Sequence, residues 1–169
     1  MTTDVREIFV TGLRNAHAME NQALSIMKPQ ISRIENYPEV KARLELHYRE
    51  TEGQIARLEE ILNGLSESAS TIKDTALSMT GSLASLGHAV AGDEIIKNSL
   101  ANFAFENYEI AAYKSLLTLS DHGGYQAAHS ALRINLEEEE NMARWLEDNL
   151  EKVTLEFVAL SEQGQIAKV

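Results

Sequence analysis

Glu20 and Glu50 are 30 residues apart, and so are Glu109 and Glu139. Halfway between the first two lies the turn-forming stretch Glu35-Asn36-Tyr37-Pro38-Glu39. Halfway between the second two lies Asp121-His122-Gly123-Gly124. Each pair is therefore set to meet at one height across its own helical hairpin. The offset between hairpins is 89 residues at both members, as an internal duplication would leave it. Four inward glutamates at one level suit a dinuclear site. Two divalent cations a few ångström apart need several anionic oxygens, some of them bridging.

Nitrogen donors are scarcer. The familiar Glu-x-x-His of dinuclear bundles is absent. The reverse order occurs twice, as His17-x-x-Glu20 and His47-x-x-Glu50. Residues three apart share a helix face in either order, so a histidine can still join its glutamate. Helix topology puts His47 and Glu106 on one side of the glutamate layer, as further ligands, and His17 on the other. An isolated helical glutamate is ordinarily solvated, and most of the run Glu137-Glu138-Glu139-Glu140 reads that way. Glu139 keeps the apolar register, and Glu138 is the alternative. Tyr108, Tyr113 and Trp145 read as packing residues, with Tyr113 within reach of a site water. Met19 and Met142 read as core.

The elements that must position these groups are long helices. Phe9, Leu13, Ala16, Leu24, Met27, Ile31 and Ile34 recur at three- and four-residue steps, with Glu20 in the same stripe, predicting a helix over about 4–35. Pro29 should kink it. Pro38 suits the start of a second helix that Gly64 ends, with the stripe Val40, Leu44, His47, Thr51, Ile55, Leu58 and Leu62. A Ser/Thr/Ala/Gly-rich stretch over about 65–92 reads as a crossover carrying a short helix. Asp93 caps a third helix to about Ser120. A fourth runs to about Asn149, with Leu132, Leu136, Glu139, Ala143, Leu146, Leu150 and Val153 in register. Residues 153–161 read as a short terminal helix, and about 163–169 as a loose tail. The expected fold is all-α, one domain over 1–169: a ferritin-like four-helix bundle with a single long crossover between its second and third helices. Such a crossover must span a helix of ~35 Å, at ~1.5 Å per residue.

Composition narrows the function. The 169 residues are 44% apolar and 24% charged, a folded rather than a disordered composition. The net charge of −11 argues against nucleic-acid or anionic-membrane partners, both of which need a basic face. With no cysteine, thiolate metal sites and cysteine nucleophiles are excluded. No apolar run approaches a membrane span, and the N-terminus lacks a signal-peptide plan, so a cytoplasmic protein is expected.

Several motifs also look familiar. They are His17-Ala18-Met19-Glu20-Asn21-Gln22-Ala23, Arg33-Ile34-Glu35-Asn36-Tyr37-Pro38-Glu39, His47 with Glu50-Thr51 and Gln54, Phe105-Glu106-Asn107-Tyr108-Glu109-Ile110-Ala111, and Glu138-Glu139 before Met142-Ala143-Arg144-Trp145-Leu146. In this order they resemble the YciE/YciF family of ferritin-like bacterial stress proteins over nearly the whole chain. The resemblance implies a ferritin-like bundle, a homodimer, a two-iron carboxylate site and a stress role. Carried over by position, it implies Glu20, Glu50, Glu109 and Glu139 as metal residues, with His47 and Glu106 near them. An acidic residue that many relatives carry near Ala143 or Arg144 is absent. The expected chemistry is ferroxidase-type, or consumption of dioxygen or peroxide, at two iron ions or manganese in their place. Glu20 and Glu109 would be terminal ligands, and Glu50 and Glu139 would bridge. The alternative is a helical scaffold that has kept the fold and lost turnover. Iron storage would need a large symmetric cage, of which the sequence has no sign.

Overall fold

A computed structural model of the chain describes residues 4–67 and 91–169. Among the described residues there are four helices: α1 (Val5–Arg33), α2 (Pro38–Gly64), α3 (Glu94–Gly123) and α4 (Gln126–Glu162). The expected short helix inside the crossover falls at 68–90, outside the described residues.

Local chemistry sets the helix ends. The Asp4 carboxylate accepts from the Arg6 N–H, capping α1. Pro38 opens α2, where its missing N–H costs nothing. Gly124, at φ 73°, closes α3 in the left-handed region, and the Tyr125 N–H donates back to the Ser120 carbonyl at 2.8 Å. Gly123 is required for a different reason. A Cβ there would stand 2.4 Å from the Tyr125 ring, which stacks on Phe9 at 4.6 Å.

Side-chain bonds between helices give the topology. Gln30 pairs with Asn102 and Glu20 with Tyr113, so α1 and α3 run antiparallel. Gln54 reaches Glu139 while Lys152 reaches Glu39, so α2 and α4 do the same. His17 with Glu59 fixes α1 against α2, and the α3–α4 hairpin is antiparallel through its tight turn. The diagonal pairs α1/α4 and α2/α3 are therefore parallel, the all-α bundle expected. Buried apolar layers lie on both sides of the carboxylate level: Phe9, Leu13, Leu58, Leu62 and Leu132 towards one end, and Met27, Leu44, Ile95 and Leu146 towards the other. Burying each large side chain contributes about 1.5–3 kcal/mol, which is what allows the middle layer to be polar.

Three expectations change. α1 runs unbroken through Pro29, which stands close enough to the helix end that one lost donor matters little. α4 continues to Glu162 with no separate terminal helix, because no Gly or Pro interrupts 126–162 and Val153 stays in the buried stripe. The tail is anchored rather than loose. Ala167 and Val169 are buried, the Tyr37 hydroxyl donates to the Ala167 carbonyl at 2.5 Å, and the Ile95 N–H donates to the Lys168 carbonyl at 3.0 Å. The tail supplies acceptors to backbone and side-chain donors at the bundle end, satisfying groups that burial would otherwise strand.

Candidate metal centre

His47 occupies the inward stripe of α2 and is 1% exposed. Its Nδ1 lies 3.0 Å from Glu50 Oε2, on the same helix one turn on. Its Nε2 faces the bundle axis, 3.2 Å from Glu106 Oε2 and 3.5 Å from Glu139 Oε2. One ligand atom each from His47, Glu106, Glu109 and Glu139 falls within 4.8 Å of the others. Glu106 and Glu109 both come from α3, three residues apart, and Glu139 from the middle of α4. Glu20 enters from α1, fully buried, with Oε1 accepting from the Tyr113 hydroxyl at 2.5 Å.

Glu50 stands apart from this group. Its carboxylate is 23% exposed, and Oε2 takes bonds from Arg43 at 3.0 Å and from His47. It sits at the stripe edge, one position before the buried Thr51, and Arg43 draws it sideways. His17 lies on the other side, paired with Glu59 at 3.1 Å. Glu138 turns outward to Arg57. Of the acidic run and the histidine pair, Glu139 and His47 enter the buried cluster, and Glu138 and His17 pair elsewhere. Tyr113 is more than packing, since it is bonded to Glu20. Tyr108 is half exposed, and Trp145 packs partly buried against the core. Met19 and Met142 are core, as expected.

Two polar residues in the layer have no site role in the sequence reading, although Gln54 stands among its motifs. The Gln54 amide donates to Glu139 Oε1, and Asn135 packs, fully buried, against Tyr113 and Arg57. Both lie in the inward stripes, Gln54 seven residues after His47 and Asn135 four before Glu139. A neutral amide in a stripe one or two turns from an inward acid was the available signal.

Electrostatics shows how crowded the layer is. Burial holds Glu109 well above the ordinary carboxylate range, and the charges of Glu139, Glu20 and Glu106 push the same way. Burial also raises Glu20, with Glu139 adding to it. Glu106 is pushed up to about 8, mainly by burial and against the pull of His47. Burial would raise Glu139 too, but its neighbours, His47 first and then Glu106 and Gln54, bring it below the usual value. Burial disfavours the His47 cation, yet Glu106 and its neighbours outweigh this and raise its pKa well above normal. For Glu50, partial burial is overcome by His47 and Arg43, and its pKa falls.

Five carboxylate oxygens in this layer accept no well-formed hydrogen bond: Oε2 of Glu106 and Glu139, which meet only the His47 Nε2 ion pair, Oε2 of Glu20, and both oxygens of Glu109. Leaving so many buried acceptors unmet is costly, by about 1–3 kcal/mol each. Divalent cations would meet all of them. Oxygen-rich donors with one imidazole fit iron or manganese and lack the thiolates of a structural zinc site. The residues present therefore fit a metal.

Comparison with known proteins agrees with this architecture. Protein YciF of Escherichia coli K12 is 29% identical over 143 residues, covering 80% of this chain and 83% of that protein. A crystal structure from Xanthomonas campestris pv. campestris superposes with a TM-score of 0.79 at 33% identity, covering 94% of this chain and 98% of the other. The E. coli stress protein YciF superposes with a TM-score of 0.71 at 22% identity, covering 88% and 96%. Residues 4–159 match the family described as "Domain of unknown function (DUF892)". The resemblance to YciE/YciF proteins thus holds along the bundle, and the chain belongs to the DUF892 family.

Proposed function

We propose that this chain is a dinuclear metal protein of the stress-linked kind that YciF's description names, with iron or manganese as its metal and dioxygen or peroxide as its oxidant. The observation that carries the reading is the buried carboxylate layer around His47, in which Oε2 of Glu20 and both oxygens of Glu109 have no partner and Oε2 of Glu106 and Glu139 meet only His47 Nε2. His47, Glu106, Glu109 and Glu139 would hold one cation. Glu20, whose charge is felt by Glu109 and Glu139, would join those two in holding the other. A bound pair would supply two one-electron steps at neutral pH.

The chain's own residues do the rest. Glu50 accepts from His47 Nδ1, which presents Nε2 to the layer and fixes the tautomer. Gln54 holds one oxygen of Glu139, and the other meets only His47 Nε2. The apolar layers on either side exclude water. Glu50 is thus assigned to support, and Glu109, with neither oxygen hydrogen-bonded, would be among the residues holding the metal.

Metal content tests the reading. Protein grown with added iron, purified without chelator or a histidine tag, is expected to carry near two iron or manganese per chain by elemental mass spectrometry. Near zero after anaerobic reconstitution with ferrous ion would overturn it. His17, paired with Glu59, leaves the layer a single imidazole among the described residues, which is the observation favouring the non-catalytic scaffold. That alternative expects a thermal midpoint unmoved by iron or manganese. A twofold homodimer belongs to the main reading, supported by exposed Leu155 and Val158 on α4. Sedimentation velocity tests it. Among the described residues no helix is long and apolar enough to cross a membrane.

A further inference from the structure

Three hydrogen bonds run in series from the protein surface to Glu20. Arg57 Nε donates to Asn135 Oδ1 at 2.5 Å, Asn135 Nδ2 donates to the Tyr113 hydroxyl at 2.9 Å, and that hydroxyl donates to Glu20 Oε1 at 2.5 Å. Arg57 is also anchored on Glu138 and is about a quarter exposed, whereas Asn135, Tyr113 and Glu20 are fully buried.

The direction of this chain is forced from its outer end. A guanidinium only donates, so the Asn135 side that meets Arg57 must be its oxygen. The amide N–H then faces Tyr113. With its oxygen accepting from Asn135, the single phenolic hydrogen goes to Glu20. Bonds aligned this way polarise one another and carry the influence of the Arg57 charge inward. At the inner end, Glu20 Oε1 is committed as an acceptor, and Oε2 is left without a partner. Glu109, which has no such restraint, keeps both oxygens free.

We propose, on the dinuclear reading above, that Arg57, Asn135 and Tyr113 are positioning residues that hold Glu20 as a one-oxygen ligand for the second cation. The relay makes the two metal positions unequal. One is set by His47 and Glu106 and does not depend on it; the other does.

The test uses the full chain titrated with manganous ion, read by elemental analysis after equilibrium dialysis and by electron paramagnetic resonance. A manganese pair gives a spin-coupled signal, and a lone ion gives a six-line spectrum. Wild type is expected to bind two ions per chain with the coupled signal. Tyr113→Phe keeps the ring and removes the donor. Asn135→Asp keeps the shape, stays paired with Arg57, and gives the tyrosine a competing acceptor in place of a donor. Arg57→Met leaves the core untouched if either buried variant fails to fold. Each folded variant is expected to keep the first ion and bind the second roughly 10–100-fold more weakly, the usual cost of losing a ligand's supporting bond. The lone-ion spectrum should then appear at half-loading. Two ions at wild-type affinity in the folded variants, or loss of both positions together, would overturn the relay. Fewer than two ions in wild type would overturn the dinuclear reading itself, and the relay with it.

Discussion

Glu109 is the most exposed to consequence of any residue in the layer, because neither of its oxygens has a partner although it is fully buried. Metal-free, it is a liability. Glu109→Leu should raise the metal-free melting temperature by about 2–4 °C for each kcal/mol of relieved strain, with about 1–4 kcal/mol available from replacing buried charge by packed hydrocarbon. The same variant should abolish loading of the pair. Calorimetry with and without manganous ion reads both, and a lower metal-free midpoint would count against the picture. Acidity gives a second prediction. Glu106 rises from 4.5 to about 8 on folding, and Glu20 and Glu109 rise as well. The folded chain therefore binds more protons than the unfolded one above pH 4.5, so these groups stabilise fully below that value and lose their effect as pH climbs towards 8. His47, also raised, acts in the same direction above its ordinary 6.5. Metal-free melting temperature should fall between pH 5 and 8, while manganous-ion affinity rises as bound protons are displaced. A metal-free midpoint that rises across that window would refute the assignment. The stripes place Glu20, His47 and Glu139 on inward faces, and the 30-residue spacing adds Glu109, because a helix face is a sector that spacing can read. They did not reveal Glu50's sideways turn, since a three-torsion side chain at the sector's edge goes to whichever cation is near, here Arg43. The spacing gives no site role to Gln54 or Asn135, because a neutral amide carries no charge to mark its burial.

At the scale of elements, the α3–α4 turn and the anchored tail are where small changes tell most. Gly123→Ala would drive a methyl group into the Tyr125 ring and disturb its stack on Phe9. Overpacking of this kind costs about 1–3 kcal/mol, so the melting temperature should drop by several degrees in thermal denaturation. Tyr37→Phe removes the hydroxyl bonded to Ala167, and a loss of about 0.5–1.5 kcal/mol is expected. Helix positions were readable to within a few residues because apolar period and the Pro and Gly stops agree. The unbroken reach of α4 is readable too, since its stripe passes Val153 without a breaker, although the sequence reading ends the helix near Asn149. Tail anchoring was not readable. It depends on acceptors meeting Asn36, Tyr37 and Ile95, which only the folded bundle end brings together.

At the scale of the molecule, a net charge of −11 surrounds a layer of buried acids. That field concentrates cations near the surface and should make manganous-ion association faster at low salt, slowing as ionic strength rises. Stopped-flow capture of the free ion at two salt concentrations checks this. The arrangement of donors has a further consequence. Glu20 belongs to α1, His47 to α2, Glu106 and Glu109 to α3 and Glu139 to α4, so on the dinuclear reading no helix could leave the bundle without surrendering a donor. A loaded centre would tie four separate openings into one event. Amide hydrogen exchange, which in the metal-free chain should proceed helix by helix, would then slow in all four helices by a common factor, and a chelator would restore four independent clocks.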